Sequence, residues 1–466
     1  IPANSAVGGG FDVDNSLRLN SASSDYLSRS STAGNKKTWT FSFWLKRSKL
    51  DVLQFIAFSD VANYFRMRIT SGNVFEIFDS NTNKTWNWYP LLRDTAAWYH
   101  LVLRADSTDG TNGNRLRLYI NGTLALANTV GSISQNYDFS FNQGGTFQIA
   151  KGNSTDYLDG YLAETILIDG QALAPTDFGE FDEDSGIWKP IDGLEDLTFG
   201  TNGFYLDFED SANLGNDVNG GTDFTESNLA AIDQTTDTCT NNFATLNSLA
   251  NVIAPVTLTE GNLKIAMTNS KGGNLSTISC TDGKYYAEMK ITTAPQDFRF
   301  HWGIMPHPVI AADDPINAAN AGIMLSGYNA VIYAANGIIN NFYGNATGRF
   351  SGNPILGLAI DLKSATRTIA ISINGAWVTG SNATDTDFSN ALKVDITSYV
   401  ATYPNWFIGC GSGNGSGTTG VYELNFGNPI FTGTDQADGN GYGSFEYPPP
   451  SGYLALCTKN LSGELS

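Results

Sequence analysis

The side chains able to do acid–base chemistry are few and scattered. His100, His301 and His307 are the three histidines, the residue type that titrates near neutral pH unperturbed. His100 lies inside the alternating run AAWYHLVL, which gives it a structural place in a strand. His301 and His307 bracket WGIMP, a spacing without the helical logic of a His-Glu-x-x-His zinc site, and no Gly-x-Ser-x-Gly elbow accompanies them. One carboxylate run, GEFDED, bears on glycoside hydrolysis. Glu180 and Asp182, with Glu183 beside them, stand at i and i+2, where two carboxylates share a strand face near the separation that an acid and a nucleophile need. The run lacks apolar alternation around it, so it reads as non-catalytic. Glu164, in YLAETILI, reads as a structural or rim residue. No catalytic residue is assigned.

Binding chemistry has more candidates. Asp106 and Asp109 in the loop DSTDGTN, and Asp156 with Asp159, are oxygen-rich positions beside strands that could hold calcium. The same residue types also simply make turns, and both readings stay open. No other cofactor is indicated. Trp86, Trp88 and Tyr89 in TWNWYP offer rings of the kind that stack on the C–H faces of sugars, with core or interface packing as the competing use. In the second half of the chain, residues 306–345 are rich in Asn, Ala and Gly and alternate weakly. Tyr328, Asn336 and Tyr343 there would offer rings and an amide on loops carried by a rigid sandwich. The alternative is that IMLSGY and VIYAA are ordinary strands. Cys239, Cys280, Cys410 and Cys457 lie far apart without metal-ligand spacing and are expected as free, buried thiols.

The elements that would position these groups are strands. The runs RLRLYINGTLAL (115–126) and RTIAISINGAWV (367–378) each alternate apolar residues and then meet Asn-Gly, the dipeptide that suits a two-residue type I′ hairpin. In TWTFSFWLKRS, Trp39, Phe41, Phe43 and Leu45 occupy one face. Glycine at 49 positions and a 12% aromatic content fit tight turns and ring-bearing strands, and 466 residues exceed one sandwich core. The expectation is an all-β chain: two antiparallel β-sandwich (jelly-roll) domains, 1–186 and 239–466, joined by an irregular connector at 187–238. Between residues 177 and 210 there are eleven acidic residues against Lys189 alone, so this region reads as a solvated acidic linker. The net charge of −20 argues against nucleic-acid binding and attachment to anionic membranes, and nothing in the sequence reaches the length of a membrane span.

The ordered phrases SLRLNSASSDYLS, WTFSFWLKRS, AWYHLVLRAD, RLYINGTLAL and DGYLAETILIDGQAL make residues 11–181 resemble the LamG-like, concanavalin A-like jelly-roll module. That resemblance implies two antiparallel sheets, with ligand and calcium sites, where present, at one rim. Residues 242–431 resemble the SPRY domain through GKYYAE (283–288), LGLAIDL, the second Asn-Gly hairpin and LNFG (424–427). This implies a binding module whose contacts lie in loops, here 306–345 and 380–387. The DGQAL ending and the closing YPPPSGYLALCTKNL are similar to large structural proteins of marine tailed bacteriophages.

Together these imply a non-enzymatic virion surface protein, a fibre, tail or capsid-decorating component that attaches to host surface polysaccharide or to other virion proteins as a homo-oligomer. The amino terminus shows no basic-then-apolar signal, so it would be made in the host cytoplasm and located on the virion surface. The alternatives are a glycan-cleaving depolymerase of the particle and a bacterial cell-surface adhesin.

Overall fold

A computed structural model describes residues 10–60, 63–152, 156–252, 256–268, 272–295, 298–306, 322–334, 337–341, 350–380, 383–412, 419–431 and 433–464. The chain divides into two compact units, 1–242 and 243–466. Each is built on two large antiparallel sheets, the architecture expected from strand alternation. Among the described residues no helix is long and apolar enough to cross a membrane.

In the first unit, one eight-stranded sheet centres on Thr38–Arg47 paired with Trp98–Asp106 and Gly160–Asp169. The other eight-stranded sheet runs from Leu126–Val130 through Gln54–Asp60 and Gly145–Ile149 to Tyr26–Ser31 and Thr225–Ser227. Trp39, Phe41, Phe43 and Leu45 are all fully buried between them, as their alternation predicts. Trp44, on the opposite face of the same strand, is buried as well, so this sheet is covered on both sides.

The cover is the stretch expected to be a linker. Trp188 packs with Trp44, Trp98 and Tyr161, while Phe178, Leu194, Phe199 and Tyr205 pack on Val102, Ile166 and Ile168. Phe204–Leu206 joins Gly160–Asp169, Thr225–Ser227 joins Tyr26–Ser31, and Gln234–Thr235 joins Ser16–Leu19. Residues 187–238 are therefore an integral part of the first unit, which ends at Asn242 rather than at residue 186. The charge run hides the cause, because rings and leucines spaced among the carboxylates supply enough apolar surface to dock the segment.

Both Asn-Gly hairpins form with positive φ at each central residue: 47° and 74° at Asn121 and Gly122, 49° and 78° at Asn374 and Gly375. At Gly122 a side chain is also excluded by packing, since an added Cβ would lie 2.2 Å from the Trp188 ring.

In the second unit, Gly272–Cys280, Trp406–Ser412 and Phe300–Pro306 lie at the centre of one sheet. Lys264–Thr268, Thr419–Asn425, Lys284–Thr293, Ile355–Asp361 and Thr368–Ile373 run in that order across the other. Ile323–Ser326 and Val331–Ala334 are paired strands, so the strand alternative for IMLSGY and VIYAA is the one found. Glu288 fastens the C-terminal segment from beneath: its carboxylate accepts from the backbone N–H groups of Glu446 and Tyr447, both at 2.9 Å, and from Asn425 Nδ2 at 3.0 Å. All four cysteines are buried free thiols.

Candidate functional site

The sequence candidates separate sharply by burial. Trp86 and Trp88 are 0% and 2% exposed and belong to the core of the first unit, so they are not the surface patch expected of them. The strand Lys84–Tyr89 turns both tryptophans inward, and only Tyr89, at its end, is exposed. Tyr328 is also exposed, with the Arg299 guanidinium 4.4 Å from its ring centroid. Asn336 and Tyr343 lie outside the described residues, as does most of 306–345.

Of the calcium candidates, the carboxylates of Asp106, Asp109 and Asp159 are engaged by the protein's own donors. Asp106 accepts from Thr108 N and Oγ1, and Asp109 from Thr111 N and Asn114 Nδ2. Asp159 accepts from Ser21 N at 3.0 Å and pairs with Lys49 at 2.8 Å. Asp156 is placed by its backbone carbonyl, which accepts from Gly152 N. Among the described residues no group of three His, Cys, Asp or Glu side chains is arranged to hold a metal ion. Asp106 and Asp109 act here as turn-makers, while Asp159 ties its segment to Ser21 and Lys49.

The catalytic candidates fare no better chemically. Glu180 and Asp182 both face Lys189, at 3.3 and 3.2 Å. Donation from Ser185 N and Oγ and from Lys189 holds the Asp182 carboxyl down at about 2, the reverse of what a general acid needs. His100 is buried between Trp44 and Trp188, stacked on Trp44 at 4.7 Å. Its Nδ1 accepts from Trp188 Nε1 at 2.9 Å, so Nε2 carries the proton and donates to Ser42 Oγ at 2.8 Å. Burial lowers this imidazole to about 3, so it is a neutral structural group. Glu164 has the raised pKa of a general acid, pushed up to about 8 by burial, but it is 3% exposed and tied to Tyr205 Oη at 2.6 Å, away from any open surface.

What the structure does assemble is a cleft of about 350 Å³ in the first unit. One wall is the end of the strand Tyr26–Ser31 with Thr32; the others are the loops at 200–203 and 219–222. Its floor is built around Arg29, whose guanidinium lies 4.8 Å from the Phe204 ring and 4.7 Å from that of Phe224. Arg29 Nη1 donates to Asp217 Oδ2 and to the Thr222 carbonyl, both at 3.2 Å, and Nη2 donates to the Asn202 carbonyl. Burial lowers the Arg29 pKa and raises that of Asp217, each opposed by the partner's charge.

The network continues outward from that pair. Asn202 Nδ2 donates to the Thr32 carbonyl at 2.6 Å and to Asn142 Oδ1 at 2.8 Å, and Asp169 accepts from Asn142 Nδ2, Asn35 N and Asn202 N. A floor satisfied in this way is rigid. Gly203 and Gly221 let the loops close on it, for added Cβ atoms would lie 2.0 Å from the Phe199 carbonyl and 2.3 Å from Asp217 Oδ2.

Above that floor the Ser30, Ser31, Thr32, Thr201 and Thr222 hydroxyls and the Asn219 amide line the opening. No carboxylate lines it, although the chain has 46 acidic residues. Such a surface offers neutral donors and acceptors to a ligand rich in hydroxyl groups. The cleft was not anticipated, because its parts lie far apart in sequence; the weak signals were the Gly-rich runs GTNGF and NGGT.

Residues 21–176 match the family model described as the concanavalin A-like lectin/glucanases superfamily. No curated protein matches the chain. Among solved structures, the chain is similar to the native heptameric SAP-like pentraxin from Limulus polyphemus, at 16% identity over 35% of this chain and 80% of that one, with a TM-score of 0.28. It is also similar to the SPRY domain of human HERC1, at 14% identity over 38% of this chain and 96% of that one, with a TM-score of 0.27. Domains LG4-5 of the mouse laminin alpha1 chain align over 91% of both chains at 9% identity, with a TM-score of 0.29. No function transfers across likenesses of that size.

Proposed function

We propose that this is a non-catalytic glycan-binding protein and that the cleft over Arg29 takes a neutral saccharide. The observation that carries the reading is a hydroxyl and amide lining without carboxylates, whose one cation, Arg29, is paired to Asp217 in a rigid, hydrogen-bonded floor. A preorganised surface of this sort binds without the cost of ordering its own side chains. The match of residues 21–176 to a lectin and glucanase family model supports it, and the ion pairing of Glu180 and Asp182 with Lys189, which keeps Asp182 ionised, favours binding over cleavage.

In its fuller form the proposal makes the protein a surface component of a tailed-phage particle, in a fibre, tail or capsid decoration. It would attach to host polysaccharide or to other virion proteins as repeated copies, where many weak contacts act at high effective concentration. This setting rests on the resemblance read from the DGQAL and YPPPSGYLALCTKNL segments alone.

The test is Thr201→Trp, which puts a bulky ring at an exposed position of the wall without touching the floor. Against a panel of neutral oligosaccharides, binding by the parent and a loss of at least about tenfold in the variant, with unchanged thermal unfolding, is expected. Equal binding by the two, or release of new reducing ends from the glycan, contradicts the proposal.

A further inference from the structure

The second unit carries a cleft of about 340 Å³ with different chemistry. It sits where strands from both sheets end: Thr281 follows Gly272–Cys280, Leu362 and Arg367 lie between Ile355–Asp361 and Thr368–Ile373, and Trp406 opens Trp406–Ser412. Its remaining wall is the segment 400–404. Trp406 Nε1 donates to the carbonyls of Val400 at 3.3 Å and Tyr403 at 3.2 Å, which clamps that segment against the sandwich. Tyr403 is left 39% exposed, its ring held edge-on to Trp406 at 5.9 Å.

Arg367 is the charged group in this lining. Its backbone is fixed on both sides, with N donating to Thr397 Oγ1 at 2.9 Å and O accepting from Ile396 N at 2.9 Å. Its Nε donates to the Leu362 carbonyl at 3.1 Å. Neither Nη nitrogen has a hydrogen-bond or ion-pair partner among the described residues, in a chain of net charge −20. A half-buried guanidinium anchored through Nε presents its two Nη donors as a fork, the geometry that takes a carboxylate in bidentate fashion. Beside it stand an exposed ring for a sugar face and the hydroxyl-bearing Thr281 and Thr402.

We propose that this cleft is a second saccharide site, selective for a carboxylate-bearing sugar of the uronate class. The Arg367 fork binds the carboxylate and Tyr403 packs against the pyranose ring.

The experiment is calorimetric titration of the full chain with a glucuronate-containing disaccharide and with its methyl ester, which keeps the shape and removes the charge. The acid should bind at least about tenfold more tightly than the ester, and added salt should weaken it. Arg367→Ala should lose at least about tenfold for the acid and little for the ester. Tyr403→Ala should weaken both, and Thr201→Trp in the first unit should weaken neither. Arg367→Lys, which keeps the charge but not the fork, serves where Arg367→Ala disturbs folding through the lost Leu362 contact. An ester that binds as well as the acid overturns the proposal on the parent protein alone. So does unchanged binding in a folded Arg367 variant, or binding confined to acidic peptides.

Discussion

Asp237→Ala should destabilise the first unit by about 3–5 kcal/mol, the usual result of stranding one member of a buried ion pair. Lys46 is 1% exposed, and its Nζ lies 2.6 Å from Asp237 Oδ2 and 2.7 Å from Asn242 Oδ1. Asp237 also accepts from Trp98 Nε1 at 3.2 Å, and its carbonyl accepts from Ser16 Oγ at 2.6 Å. Burial depresses the Lys46 pKa and Asp237, with a smaller contribution from Asp94, opposes that shift, so removing the Asp237 carboxylate takes away the main counter-charge of a buried ammonium. The double variant Lys46→Met with Asp237→Ala should recover much of the loss, because the stranded charge goes with its partner. Urea unfolding of the three proteins checks this, and a single-variant cost below about 1 kcal/mol would show the pair to be better solvated than its burial implies.

Glu164→Gln should stabilise the protein at alkaline pH and flatten its pH dependence. Burial first, then the like charges of Asp207, Glu209 and Glu195, raise the Glu164 carboxyl from 4.5 to about 8, with donation from Tyr205 opposing them. A folded-state pKa above the unfolded value contributes stability that is fully present below the unfolded pKa and is lost as pH rises through the folded one. The window therefore runs from about pH 4.5 to about pH 8, with a slope of up to about 1.4 kcal/mol per pH unit and a total of order 5 kcal/mol. Glutamine keeps an acceptor for Tyr205 Oη, carries no charge, and meets the same positive φ of 44°. At pH 8 the variant should be more stable than the parent by about 2–4 kcal/mol, and at pH 5 nearly equal to it. Parallel stability curves across this range would show that Glu164 does not titrate in the folded protein.

Much of the architecture is legible locally. Asn121-Gly122 and Asn374-Gly375 make the turns their dipeptides dictate, because the left-handed backbone requirement is met within two residues. The inward rings of Thr38–Arg47 are read correctly from period-two alternation. The same rule, applied to TWNWYP, places Trp86 and Trp88 on one face and Asn87 on the other, which is the mark of core packing rather than of a ligand platform.

Segment 187–238 illustrates the opposite case. Its carboxylates dominate any local count, while the apolar residues that decide its fate, Trp188, Leu194, Phe199, Phe204 and Phe224, find their partners in strands far away in sequence. The cleft is invisible for the same reason. Arg29 meets Asn202 and Asp217 at separations of 173 and 188 residues, and free hydroxyls become a lining only when the loops that carry them are brought together.

The most direct measurement of the central claim is residue-resolved NMR of the labelled protein titrated with a neutral oligosaccharide that binds it. Saturable amide shifts should fall on residues 30–32, 200–203 and 219–222, the three segments that line the cleft over Arg29. Saturable shifts that leave those segments untouched would contradict it.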